Sequence, residues 1–168
     1  MCGIYGLITS SSSAFDKQML KSAIRTMALL SEKRGKEASG IALLSENKIY
    51  YYKKPVRAAK LLSSNEFRSF SSKMPDPHTN GFAAIGHARL VTNGSQAEYE
   101  NNQPVVTPHC IGIHNGIILN IVQIQAKHQD VKPISRLDTE VLMLLVDKYL
   151  TSEGSLETAI VKTYREIR

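Results

Sequence analysis

The apolar residues of this chain form short strand-like runs that are grouped between helical stretches, without strict alternation of strand and helix. Strands are predicted at 2–9, 41–44, 49–52, 82–91, 105–106 and 111–114. Helices are predicted at 15–33, 56–62, 138–150 and 156–167, and a loop at 71–81. Grouped strands that read as hairpins favour an α+β fold over a doubly wound parallel sheet.

The ends of the predicted helices carry fewer signals than their interiors. Asp16 is the candidate N-cap of the first helix, and Ser135 is a candidate cap for the helix at 138–150. No Gly, Asn or Pro stops the final helical pattern before Arg168. We therefore expect a fold cut short at its C-terminal end, in which the last two helices leave apolar faces partly uncovered.

Length and composition indicate one globular domain. The chain has 168 residues, of which 42% are hydrophobic and 21% charged, enough for a single core. No apolar run approaches the ~20 residues that cross a bilayer. The first residues have neither the basic nor the apolar region of a secretory signal, so we expect a cytoplasmic protein.

The net charge of +6 is concentrated in one segment. Between positions 53 and 73, a single acid, Glu66, accompanies six basic residues: Lys53, Lys54, Arg57, Lys60, Arg68 and Lys73. Nucleic-acid sites of the stacking type interleave aromatic side chains with such charges, and this pattern is missing here. We predict a solvated basic face without a nucleic-acid or membrane partner.

A cysteine at position two has a chemical meaning that a cysteine elsewhere lacks. Removal of Met1 before a small residue leaves Cys2 with a thiol and its own α-amine. The reference pKa values, ~7.7–8.0 for the amine and ~8.5 for the thiol, let the amine accept the thiol proton near neutral pH. Gly3 permits close backbone approach at this point. Taken alone, Cys2 is better interpreted as a small buried residue of the first strand.

Five sequence blocks strengthen the catalytic interpretation, together with a sixth element at Asn102–Pro104. They are Met1–Gly6, Arg34–Ile41, Gly86–Gly94, His114–Asn120 and Asp138–Leu142. In content and order they resemble the class II glutamine amidotransferases, and the Asp-Thr-Glu and His-Asn-Gly blocks resemble the glucosamine-6-phosphate synthase-like branch. The resemblance implies a glutaminase domain with the αββα sandwich of the N-terminal-nucleophile hydrolases, of which residues 1–168 form an incomplete part.

The resemblance also assigns roles. Cys2 would be the nucleophile, with Asn115 and Gly116 forming the oxyanion hole. Arg89 would bind the α-carboxylate of glutamine through its guanidinium fork, and Asp138 its α-ammonium. The remaining expected site residues line or support the pocket: Thr92, Gly94, Gly3, Arg34 and Gly35.

Each assignment has a plainer structural alternative. Asn115–Gly116 is also a type I′ hairpin signal, Arg89 a surface arginine, and Asp138 an acid in the first turn of a helix. His109, Cys110 and His114 have a loosely metal-like spacing, but strand alternation turns His109 away from the other two. We predict no metal and no cofactor.

The implied function is hydrolysis of glutamine to glutamate and ammonia through a γ-glutamyl thioester. The ammonia would reach an acceptor such as a sugar phosphate through a further synthase domain or subunit, and a homo-oligomer is compatible with this. Four alternatives stay open: a stand-alone N-terminal-nucleophile amidase, a phosphoribosyl-type amidotransferase, an asparagine-synthetase-type amidotransferase, and a catalytically idle regulatory domain. Arg89 with Asp138 favours an α-amino-acid substrate, and the intact set of catalytic groups argues against an idle domain.

Overall fold

The structure is a computed structural model that describes residues 1–45, 48–74, 81–91 and 94–168. Its strands are β1 (Gly3–Thr9), β2 (Ala38–Ser45), β3 (Lys48–Lys54), β4 (Phe82–Arg89), β5 (Val105–Val106) and β6 (Ile111–Gly112). Its helices are α1 (Lys17–Glu32), α2 (Ala58–Ser63), α3 (Asn65–Ser72), α4 (Ile121–Lys127), α5 (Asp138–Glu153) and α6 (Leu156–Glu166). A 3₁₀ turn covers Tyr99–Asn101.

The first four strands form an antiparallel sheet in the order β1-β4-β2-β3. Gly3 of β1 pairs with Ala88 of β4, and Ala38 of β2 pairs with Arg89. The start of β1, the start of β2 and the end of β4 therefore lie side by side at the same end of the sheet. This register brings three of the sequence blocks together.

Side-chain alternation gives the sheet two faces with different coverings. One face packs on α1 and α3 in a core that includes Leu20, Ile24, Ile41, Leu43, Phe70 and Phe82. On the opposite face, Ala42 and Ile85 line a small cavity of about 210 Å³ together with Ile111 of β6. The hairpin of β5 and β6 packs in turn on α5. The layer order is therefore αββα, as predicted.

The helix ends differ from expectation at one point. Asp16 caps α1 by accepting a hydrogen bond from the Met19 N–H at 2.7 Å. The predicted cap Ser135 is wrong, because Leu137 is the N-cap of α5 and makes no side-chain cap bond. The Ser135 hydroxyl accepts instead from the Leu137 N–H.

Two helices were not predicted. Helix α3 overlaps the start of the predicted loop at 71–81, of which residues 75–80 lie outside the described part, and α4 lies where no element was predicted. No helix in the described part of the chain is long and apolar enough to span a membrane.

The last two helices differ in how well they are covered. Helix α5 buries Val141, Leu142 and Leu145 in a second core, so the predicted exposure of its apolar face is wrong. Helix α6 does leave an apolar stripe exposed, formed by Leu156, Ile160 and Tyr164.

Candidate active site

Cys2 stands at the sheet edge where β1 begins, with both its backbone and its thiol in contact with distant segments. Its backbone N–H donates to Asn115 Oδ1 at 3.1 Å. Its Sγ lies 3.4 Å from the Leu90 nitrogen and 3.5 Å from the Leu90 carbonyl oxygen. A thiol can donate to that carbonyl, and a thiolate can accept from that N–H. Met1, which precedes it, is 77% exposed.

Three residues named for support surround Cys2. Arg34 Nε donates to the Cys2 carbonyl at 3.1 Å. A β-carbon at Gly3 would lie 2.5 Å from the carbonyl oxygen of Ser31 in α1. Gly35 presses in the same way on the Arg89 backbone, with no room for a β-carbon between them. The small residues let α1 and the segment after it approach Cys2 and Arg89 closely.

Arg89 ends β4 directly before Leu90 and is buried, with 4% of its surface exposed. Its Nη1 donates to Asn102 Oδ1 at 3.1 Å and its Nη2 to the Gly94 carbonyl at 3.0 Å. Burial lowers the pKa of Arg89, while the nearby charges of Cys2 and Glu37 oppose that shift. A guanidinium remains protonated at any physiological pH, so Arg89 puts a buried positive charge beside the thiol. Thr92, predicted to line the pocket, lies outside the described residues.

His87 lies two residues before Arg89 on the same face of β4 and is only 1% exposed. Neither ring nitrogen makes a hydrogen bond of good geometry within the described residues, although the nearby His114 backbone acts to raise the pKa of the ring. Burial, reinforced by the charge of Arg89, lowers the pKa of His87 to about 4. The ring is therefore neutral near pH 7 and adds no second positive charge next to Arg89.

Asn115 and Gly116 follow β6 in a segment without regular secondary structure. Both the predicted continuation of this strand to His114 and the type I′ hairpin are wrong, because β6 ends at Gly112 and Gly116 does not have the positive φ of such a turn. A β-carbon at Gly116 would lie 2.5 Å from His114 Nε2. With Asn115 Oδ1 occupied by Cys2, its Nδ2 has no hydrogen-bond partner within the described chain.

Asp138 opens α5 and reaches the same loop. Its Oδ2 accepts from the Ile118 N–H at 3.0 Å, and its Oδ1 accepts from the Thr139 N–H at 2.8 Å. The residue is 9% exposed. The Thr139 hydroxyl adds a third contact, to Oδ1 at 3.4 Å. An ionised carboxylate has about four acceptor positions, so these contacts leave capacity for a cation.

Sequence reasoning assigned no roles to the buried side chains that join these pieces. We call Asn101, Asn102 and Gln103 the amide cluster; they are at most 6% exposed. Asn102 Oδ1 holds Arg89, and Asn101 Oδ1 accepts from the backbone N–H of Arg136, near Asp138. Three consecutive amides before Pro104 were the available signal, but the contacts that join them to the rest of the site span 11 to 36 positions of the sequence.

The other cysteine lies in a different environment. Burial, together with the nearby carboxylate of Asp147, raises the pKa of the Cys110 thiol. His109 also contacts Asp147, with Nδ1 and Oδ1 3.1 Å apart. Within the described ranges, no three His, Cys, Asp or Glu side chains converge as metal ligands.

No family model matches the chain. Among solved structures, the chain is similar to "glutamine phosphoribosylpyrophosphate (PRPP) amidotransferase from B. subtilis complexed with ADP and GMP", with a TM-score of 0.68 and 24% identity. A second match, "structure of the allosteric regulatory enzyme of purine biosynthesis", has a TM-score of 0.70 and 22% identity. Each match covers 99% of this chain and 33% of the other. At these identities the similarity establishes the fold, that of the N-terminal-nucleophile hydrolases.

Curated sequences decide the family. The chain is 30% identical to glutamine–fructose-6-phosphate aminotransferase [isomerizing] of Campylobacter jejuni, over 100% of this chain and 26% of the relative. It is also 30% identical to the Bacillus subtilis (strain 168) protein of the same name, over 97% of this chain and 25% of the relative. The chain belongs to the class II glutamine amidotransferases.

Within this class, the relatives named above place this chain nearest to the glucosamine-6-phosphate synthase-like branch. It spans about a quarter of their length. The residues described above therefore correspond to one region of these longer relatives.

Proposed function

We propose that this chain hydrolyses glutamine to glutamate and ammonia, with Cys2 as an N-terminal nucleophile. The observation that carries the proposal is the 3.1 Å contact between the Cys2 nitrogen and Asn115 Oδ1. It places the atom that becomes the α-amine next to a side-chain amide whose nitrogen is available as a donor. A nucleophile, its base and an oxyanion donor are the minimal equipment for amide hydrolysis.

The first step depends on removal of Met1, whose exposure makes it accessible to a peptidase. The Cys2 nitrogen then changes from a peptide amide to an amine, which accepts the thiol proton. The Leu90 N–H, 3.4 Å from Sγ, stabilises the resulting thiolate, and the buried charge of Arg89 has the same sign of effect. The thiolate adds to the side-chain carbonyl carbon of glutamine.

This addition places negative charge on the former carbonyl oxygen. Asn115 Nδ2 and the Gly116 N–H are the donors we assign to it, in a segment fixed close to Cys2. When the tetrahedral species collapses, the C–N bond breaks and the Cys2 ammonium gives its proton to the departing nitrogen. The products are ammonia and a γ-glutamyl thioester.

Water completes the cycle. The Cys2 amine takes a proton from the attacking water, a second oxyanion forms, and its collapse breaks the C–S bond to release glutamate. Arg89 and Asp138 bind the α-carboxylate and α-ammonium throughout, because they supply the opposite charges that the two groups require. We further propose a sugar phosphate as ammonia acceptor, supported by the relatives named for fructose-6-phosphate, with that reaction in a further domain or subunit.

The test is a glutamine analogue with an electrophilic γ-carbon, applied to the full-length gene product. We expect glutamate release by the untreated protein, loss of that activity on labelling, and an N-terminal mass that lacks Met1. Peptide mapping should find the label on Cys2 and not on Cys110, whose raised pKa keeps it as the less reactive thiol. Labelling of Cys110 alone, or an active protein that retains Met1, contradicts the proposal.

Arg89→Lys is expected to raise the KM for glutamine about 10-fold, with a smaller change in kcat, since an ammonium cannot reproduce the two-point contact of a guanidinium with a carboxylate. Steady-state kinetics measure both constants. Arg25→Lys, at an exposed position of α1, is the matched control and should behave as wild type. An unchanged KM for the Arg89 variant would remove this residue from the glutamine site.

A further inference from the structure

Gln103 makes an unusual pair of contacts with a single residue. Its Oε1 accepts from the His114 N–H at 2.7 Å, and its Nε2 donates to the His114 carbonyl oxygen at 3.0 Å. The same Nε2 also donates to Thr139 Oγ1 at 3.1 Å. Both ends of one side-chain amide are therefore engaged by the backbone of the residue that immediately precedes Asn115.

Two hydrogen bonds to both sides of one residue fix its rotation as well as its position. A single bond would leave the segment free to pivot about the donor–acceptor axis. Because His114 is joined covalently to Asn115, the constraint extends to the side-chain amide of Asn115 and to the Gly116 N–H. The bond to Thr139 ties the same amide to the residue after Asp138.

Contacts with two strands of the large sheet also fix the backbone around Gln103. Lys53 is 6% exposed, and its Nζ donates to the Asn102 carbonyl at 2.5 Å and to the Pro104 carbonyl at 3.1 Å, on either side of Gln103. Gly40 lies against the Gln103 carbonyl, with no room there for a β-carbon. The backbone of Gln103 is thus anchored to β2 and β3 of the large sheet.

We propose that Gln103 is a positioning residue that sets the oxyanion donors of Asn115 and Gly116 at their distance from Cys2. The inference rests on the proposed glutaminase function and deepens it. Gln103 touches no reacting atom; it acts through the peptide groups of His114. A misplacement of about 1 Å in a catalytic group can cost roughly 10²-fold in rate, which gives the expected size of the effect.

Gln103→Glu is the sharpest variant because it preserves shape. The retained oxygen still accepts from the His114 N–H, but the donor to the His114 carbonyl becomes an acceptor, so two oxygens face each other 3.0 Å apart. We expect kcat to fall about 10²-fold with the KM for glutamine within about 3-fold of wild type, since Arg89 and Asp138 are unchanged.

A second readout separates positioning from general damage to the fold. The γ-aldehyde analogue of glutamine forms a hemithioacetal when the Cys2 thiol adds to its carbonyl and the proton moves to oxygen, so its affinity depends on the oxyanion donors. Glutamate, the product, binds without that tetrahedral centre. We expect Gln103→Glu to weaken the aldehyde by about the same factor as kcat/KM and glutamate by less than about 3-fold.

Gln18→Glu, at an exposed position of α1, is the matched control and should leave all constants unchanged. Gln103→Met gives a second variant should Gln103→Glu fail to fold; it removes both contacts with the His114 backbone without adding a charge and should lower kcat and aldehyde affinity together. If wild type releases no glutamate, the proposed function fails. If wild type is active and the folded variants keep wild-type kcat and aldehyde affinity, or lose glutamate affinity equally, the positioning role of Gln103 is wrong.

Discussion

Replacement of Cys2 by alanine is expected to abolish glutamine hydrolysis while leaving glutamine binding intact. Removing the nucleophile from a hydrolase costs on the order of 10⁶-fold in kcat, so glutamate release should fall below detection. On the Cys2 side, the contact with Asn115 involves only the backbone nitrogen, and Arg34 donates to the Cys2 backbone carbonyl. Alanine preserves both contacts, so the pocket should keep its shape. Calorimetric titration with glutamine measures the binding that survives.

Cys110→Ala is the natural control for this experiment, since it removes the other thiol of the chain, in the environment shared with Asp147. We expect it to retain full activity and to accept the electrophilic label at Cys2. If the Cys2 variant kept activity that disappeared only when Cys110 was also replaced, Cys110 would be the nucleophile and the role proposed for Cys2 would be wrong.

Asn115 should show the second-largest effect, and two substitutions separate its two contacts. Asn115→Ala removes the donor to the developing oxyanion and also the acceptor of the Cys2 nitrogen, and we expect kcat to fall about 10²–10³-fold. Asn115→Asp keeps the acceptor at 3.1 Å but replaces the Nδ2 donor by a negatively charged oxygen. The aspartate variant should therefore be at least as slow as the alanine variant.

In both variants the KM for glutamine should change by less than about 3-fold, because the donor acts mainly in the transition state. Asn65→Ala, at the exposed start of α3, serves as control. A rise in KM with kcat unchanged would show that Asn115 binds substrate in its ground state and is not an oxyanion donor.

The elements with strong local patterns were predictable from the sequence. Helix α1 repeats apolar residues at helical spacing behind an aspartate cap, and β1 and β4 lie where their strands were predicted. Helix α3 was missed because Phe67 and Phe70 are its only large apolar residues among serines and charges. Helix α4 is one of the shorter helices, and its N-cap Asn120 makes no side-chain cap bond. Short helices of this kind depend on tertiary packing more than on their own propensity.

The sequence also did not show which of the basic side chains face the solvent. Lys53 was grouped with a solvated basic face, and that prediction is wrong for this residue, which is buried with its Nζ on two backbone carbonyls. Burial lowers its pKa to about 8, although Glu100 and Glu140 oppose the shift. Its neighbour Lys54 does lie at the surface and pairs with Glu66 at 2.8 Å. Adjacent residues of a strand point to opposite faces, and a count of charges does not record which face is covered.

The residues of the candidate site also differ in how far the sequence alone predicts them. Blocks of contiguous residues such as Gly86–Gly94 carry their own signature, whereas the amide cluster contacts several other segments, β4 and α5 among them. Gln103 and Thr139, for example, are 36 positions apart. Hydrogen-bonding amides have no periodicity, so neither spacing nor composition indicates which distant backbone groups they bind.

The hydrogen bond between Cys2 and Asn115 joins residues 113 positions apart. A ribosome makes the chain from its N-terminus, so the thiol emerges first and its donors follow much later. Contacts of such high sequence separation form slowly, because a long loop must close before they contribute. On the roles proposed here, the nascent chain holds a nucleophile without an oxyanion hole for most of its synthesis. On these proposed roles, we expect ammonia release to begin only when folding is complete, so that an unfinished chain does not consume glutamine.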